Sequence, residues 1–127
     1  MTPVNVTVTD LPAPNPEQTG KLVTFQGQLD ESNIDENSKI IYDLIQKTPK
    51  GLYLLFDFSK LEYMNSKSIG YLTDWYGKIT EGGEGRIAIA NPPDNIFEIL
   101  QAVGITELVK CYKSMEEAKF ALFQKVT

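Results

Sequence analysis

The sequence predicts an α/β fold, a single domain with a mixed sheet of about five strands and four helices. Residues 52–58 form a nearly continuous apolar run between Gly51 and polar residues, the mark of a strand covered on both faces. Around it, apolar spacing switches between a period of two and a helical period in the order ββαβαβαβα. The length of 127 residues, 42% apolar and 23% charged, matches one ordinary globular domain.

Residues 4–9 alternate Val with Asn or Thr, which predicts a half-buried strand. Residues 11–20 hold Pro12, Pro14, Pro16 and Gly20, so they read as a loop, followed by a second strand over 21–28. The pair is expected to be antiparallel and at a sheet edge. Ser32-Asn33-Ile34-Asp35 has the form of a capping box, with Ile34, Ile41, Leu44 and Ile45 at helical spacing behind it. Helix 1 is therefore predicted over 33–47, ending before Pro49. After the buried strand, Asn65-Ser66 caps helix 2, whose apolar face reads Ile69, Leu72, Tyr76 and Ile79. The glycine-rich segment 81–85 ends that helix, and 86–90 is a short strand. A phosphate-cradling loop leaves a strand and enters a helix, whereas this one does the reverse, so it reads as a plain turn. Asn91-Pro92-Pro93-Asp94 opens a third helix carrying Ile96, Phe97, Leu100 and Val103 and closed by Gly104. A last strand is predicted over 107–112. Ser114-Met115-Glu116-Glu117 caps a final helix with Met115, Ala118, Leu122 and Val126 facing inward.

Charge and residue usage exclude several functions. Twelve Lys and Arg against seventeen Asp and Glu give a net charge of −5, and Arg86 is the one arginine, so a phosphate-backbone binder is not expected. The absence of histidine removes the commonest general base, the usual base–nucleophile pairs and most zinc sites. Cys111 stands alone and reads as a small apolar packing residue. The expectation is a non-enzyme with no cofactor, no metal and no nucleic-acid partner. No apolar run approaches the ~20 residues of a membrane span, and no signal segment opens the chain, so the expected location is cytoplasmic without direct membrane insertion.

Two places could carry function. Tyr71 and Trp75 lie four apart on a second flank of helix 2, either tucked under a neighbouring element or serving as an aromatic anchor for a partner. The other is the strand-to-helix segment from Phe56 to Gly70. Hydroxyl residues at a helix start usually cap it, but phosphate added there meets amide donors and the positive helix end. Such a place suits a switch better than a catalyst.

In this segment the chain resembles the STAS domain, in particular the bacterial anti-sigma-factor antagonists. Their motif runs from an apolar strand through Asp-Leu-Ser to Met-Asp-Ser-Ser-Gly-Leu-Gly. Here it reads Asp57-Phe58-Ser59, then Met64-Asn65-Ser66-Lys67-Ser68-Ile69-Gly70. Gly27-Gln28-Leu29-Asp30, Asn91-Pro92-Pro93, the run from Ile99 to Ile105 and Ser114-Met115-Glu116-Glu117-Ala118 extend the likeness over about residues 4–125. The resemblance implies protein binding rather than catalysis. Its members bind a kinase that doubles as an anti-sigma factor, and that kinase phosphorylates a Ser or Thr at the start of helix 2, which a phosphatase reverses. It places partner binding on Asp30, Asn65, Ser66, Lys67 and Ser68, with the helix tip from Asn65 to Ser68 exposed.

The departure falls at the acceptor itself. The second hydroxyl residue of the motif aligns with Lys67, which cannot take phosphate and turns the tip permanently positive. A cation in the first turn also opposes the helix dipole by roughly 0.3–1 kcal/mol when exposed. Ser66 and Ser68 remain as candidate phosphorylation sites, Ser66 with a competing duty as a cap. The leading expectation is a partner-switching regulator binding an anti-sigma-factor serine kinase or another signalling protein. The alternative is a STAS scaffold or regulatory subunit of a transport, lipid-trafficking or signalling complex.

Overall fold

The structure, a computed structural model, describes residues 3–124. Five strands, β1 (Val4–Leu11), β2 (Thr19–Leu29), β3 (Leu52–Met64), β4 (Arg86–Ala90) and β5 (Cys111–Tyr112), form one sheet in chain order. β1 pairs antiparallel with β2 from Val4 opposite Gly27 to Leu11 opposite Gly20, and the remaining pairs are parallel. Helices α1 (Ile34–Lys47), α2 (Ser66–Tyr76), α3 (Asp94–Ala102) and α4 (Met115–Phe123) alternate with the strands. This is the predicted α/β architecture.

The apolar run of β3 is explained by what covers it. Leu52, Leu54, Phe56 and Phe58 point into a core shared with α1, α2 and α3, while Leu55 faces a smaller cluster with Ala118 and Leu122 of α4. Phe25 meets Phe56 and Phe58 edge-on at 5.4 and 5.3 Å. The same division appears in β4, whose Ile87 and Ile89 face the larger cluster and Ala88 and Ala90 the smaller one.

Several boundaries differ from expectation, each for a local reason. β3 continues six residues past Phe58 to Met64, with Phe58, Leu61 and Met64 buried at intervals of three. Register shifts between Thr24 and Gln26 and between Gly27 and Gln28 break the two-residue period that identifies a strand. β1 and β2 also lengthen into the proline-rich segment. β5 shrinks to Cys111–Tyr112, because Gly104, at φ +84°, turns the chain into a single 3-10 turn, Ile105–Glu107. There the Val109 amide donates to the Ile105 carbonyl at 2.8 Å, burying both side chains.

On α2 the inward residues are Ser68, Leu72 and Trp75, followed by Ile79 in a π-helical turn, Gly77–Glu81, that continues the helix. Trp75 therefore takes the core place expected of Tyr76. Its ring is 3% exposed and meets Phe56 edge-on at 5.8 Å. Ser32 does not cap α1; Asn33 occupies that position without a side-chain cap bond. Ser114 does cap α4, its Oγ accepting from the Glu117 amide at 3.0 Å. Val103 is exposed rather than packed. Val126, expected on the inner face of α4, lies outside the described residues.

Candidate functional site

The parallel pairing of β2 and β3 brings their carboxyl ends together, with Leu29 opposite Met64. The Asn65 amide donates to the Leu29 carbonyl at 3.1 Å, so the loop after β2 and the tip of α2 form one surface. Asp30, Glu31, Ser32, Tyr63, Asn65, Ser66 and Lys67 line an open depression of about 550 Å³ there. Crevices beyond the carboxyl ends of parallel strands are where such sheets commonly bind.

Buried polar contacts fix both sides of this surface. Asn33, almost fully buried, accepts from the Asp30 amide at 3.1 Å and donates to the Gln28 carbonyl at 2.8 Å. Asp30 in turn accepts from the Ser32 amide and hydroxyl at 2.9 and 2.6 Å. Across the depression Asn65 is the N-cap of α2, its Oδ1 accepting from the Ser68 amide at 2.9 Å and the Ser68 hydroxyl at 2.6 Å. Ser68 also lies 3.4 Å from the Leu29 carbonyl and is 0% exposed. The expectation of an exposed tip is thus corrected at Ser68, which faces inward where the family motif has glycine. The capping duty expected of Ser66 belongs to Asn65 alone, and Ser66 stands exposed at the first helical position.

Lys67 is exposed, but it is not a free positive charge. Its Nζ lies 2.9 Å from Asp35 Oδ1 and donates to Oδ2 at 3.0 Å, and the Tyr71 hydroxyl donates to the same carboxylate at 2.7 Å. The Tyr71 bond, then the Lys67 bond, hold the Asp35 carboxyl below its ordinary range. The bond to Asp35 raises the Lys67 ammonium above its own. Lys67 thus keeps the positive charge expected of it, and that charge is matched by Asp35, with Asp30 and Glu31 also lining the depression.

A second contact of the same composition lies further along α1 and α2. Asp74 receives the Tyr42 hydroxyl, and Lys78 donates to both Asp74 oxygens at 3.0 Å. Between the two, Tyr71 stacks on Trp75 at 6.2 Å and Tyr42 meets both rings edge-on. The aromatic pair on helix 2 therefore resolves as packing under α1, the first of its two open readings. Sequence reasoning missed Asn33 and Asp35. The spacing of Lys67 and Tyr71, four apart on one face, was the available signal for an acid across from them.

The fold is a five-stranded mixed α/β sheet in which a capped helix tip and the loop after β2 form one surface. The chain belongs to the STAS domain family, which it matches over residues 13–118. Comparison with curated proteins finds no match. Among solved structures it is similar to an anti-sigma-factor antagonist (STAS) domain protein from Planctomyces limnophilus, with a TM-score of 0.74, 21% identity, and coverage of 94% of this chain and 98% of that one. It is also similar to the Bacillus cell fate determinant SpoIIAA in its phosphorylated form, with a TM-score of 0.64, 17% identity, and 90% and 96% coverage. A third is the murine anion transporter Slc26a9, with a TM-score of 0.62 and 19% identity, where 81% of this chain corresponds to 17% of the transporter.

Proposed function

We propose that this chain is a non-catalytic, cytoplasmic regulator of the anti-sigma-factor-antagonist kind, which docks a kinase-type anti-sigma factor in a partner-switching pathway. The docking surface is the α2 tip, Asn65, Ser66 and Lys67, together with Asp30; Ser68 supports that tip from inside. What supports this reading is that the tip and the Asp30 loop form one continuous open surface, held on its two sides by the buried Asn33 and Ser68. Lys67 occupies the position of the family's phosphate acceptor, so the interaction is not switched there. Ser66 keeps the accessible hydroxyl of the tip, whereas burial closes the Ser68 hydroxyl to a kinase.

The second reading is a regulatory subunit of a transport, lipid-trafficking or signalling complex. Lys67 and the likeness to part of an anion transporter favour it. A pull-down with the native chain separates the two by what is captured: a histidine-kinase-like ATPase, or a permease or lipid-carrier component.

Binding to the candidate kinase, measured by calorimetry, tests the surface. Lys67→Glu is expected to weaken it roughly tenfold or more. Lys78→Glu is the matched control, since Lys78 makes the same kind of contact to an aspartate that also receives a tyrosine hydroxyl. Equal weakening by both variants refutes the assignment of the tip.

A further inference from the structure

Among the described residues the outer edge of β1 is open, and its chemistry fits a second copy of the same strand. The two edges of the sheet differ in how they are protected. β5 is a two-residue strand, too short to template another. β1 has eight residues, pairs with β2 without a register shift, and packs extensively on no other element among the described residues. Edge strands normally carry a charge, a proline or a bulge in their span to block pairing. From Val4 to Thr9 there is none, and the one acid, Asp10, is paired with Lys21 of β2 at 2.5 Å.

We infer that two copies of this chain associate through antiparallel β1–β1 pairing, making one continuous sheet across a two-fold axis. The strand is self-complementary in one register. With the axis at Val6, Val6 faces its own counterpart, Val4 faces Val8, and Asn5 faces Thr7. Opposite residues share a face in antiparallel pairs, so the valines form one row and the amide and hydroxyl side chains another. Val4, Val6 and Val8 are only partly buried within one chain, at the border of the larger core cluster, so the row they would complete is an extension of that core. The alternative axis at Thr7 places Val4 against Asp10 and is disfavoured. In the chosen register Asp10 falls beyond Val4 of the neighbouring copy, and no charge enters the seam.

The test is sedimentation equilibrium over a concentration series, with Asn5→Lys/Thr7→Lys as the variant. Both side chains are exposed, and within the chain they oppose only Gln26 and Thr24, so the monomer tolerates the change. In the dimer each new lysine faces another lysine, and the dissociation constant is expected to rise about tenfold or more. Hydrogen exchange of the native chain should slow with concentration at the outward amides of β1 and not along β5. A native chain that stays monomeric to about 1 mM overturns the inference, as does a variant that associates as tightly as the native chain. Concentration-dependent protection confined to another element overturns it too.

Discussion

Asn65→Ala removes one acceptor that is used twice, and the structure sets the size of the effect. Loss of an asparagine N-cap costs about 0.5–2 kcal/mol. The second loss is specific to this fold: the Ser68 hydroxyl is fully buried and keeps only the 3.4 Å contact to the Leu29 carbonyl. A buried hydroxyl left poorly satisfied adds about 1–3 kcal/mol. The expected destabilisation is therefore about 2–4 kcal/mol, more than a surface cap gives. Ser68→Ala alone leaves the cap on the amide and should cost about 0.5–1.5 kcal/mol. In the double variant the amide of residue 68 still loses its cap but no buried hydroxyl is stranded, so the destabilisation should fall short of the sum by about 1–2 kcal/mol. Urea unfolding followed by the fluorescence of Trp75, the one tryptophan, measures all three. Additivity within about 0.5 kcal/mol refutes the claim that Asn65 and Ser68 act as a unit. Asn65→Asp keeps both bonds and places a charge at the positive helix end, so it should stabilise by about 0.3–1 kcal/mol.

Three further outcomes follow from the same geometry. The Asp35 carboxyl should titrate below its ordinary value in carboxyl-carbon NMR, and Tyr71→Phe should raise it, because the tyrosine bond is the largest cause of the lowering. Since the folded value is depressed, the contact is complete above the ordinary carboxylate range and its contribution is lost as pH falls through the lowered value; a Tyr71→Phe titration that coincides with the native one contradicts this. The Cys111 thiol is pushed up to about 11 by burial, so it should react far more slowly at neutral pH than a free thiol, and a rate equal to that of a model thiol counts against the packing described for it. With a cognate kinase and ATP, Lys67→Ser should take up phosphate at residue 67 while the native chain is not labelled at Ser68; mass spectrometry placing rapid, stoichiometric phosphate on native Ser68 opposes the buried geometry.

The succession of strands and helices along the chain was legible because it rests on periodicity over many residues. The run 52–58, apolar but for Asp57, read as a doubly covered strand, and the helical repeats of α1 and α3 were long enough to read. What was hidden depends on contacts between distant segments. The extension of β3 has buried residues at intervals of three, a spacing produced by register shifts in its neighbour β2. The inward turn of Trp75 instead of Tyr76 depends on the space beside Phe56 and Tyr42, which no window along α2 contains. At the site, the tip and the Asp30 loop were legible as motifs. The Asp35 partner of Lys67 was not, since 32 residues separate them and α1 must first pack on α2.

The pairing of Lys67 changes what its substitution means. A phosphate acceptor at this position needs room for a dianion and neighbours that tolerate it. Here the neighbour is a carboxylate 2.9 Å from the ammonium, with Glu31 acting on the same group. A phosphoserine at residue 67 would add close to two negative charges where Asp35 now meets a cation, replacing attraction by repulsion between α1 and α2. Tyr71 adds to this, because its hydroxyl donates to the ionised form of Asp35 and so favours the charge that would repel the phosphate. The surroundings of residue 67 therefore match lysine rather than a modified serine, and the contact from α1 is part of the tip's construction. A change at Lys67 alone leaves Asp35 charged, so a phosphate carried by Lys67→Ser should sit less favourably against α1 than one carried by Lys67→Ser/Asp35→Asn.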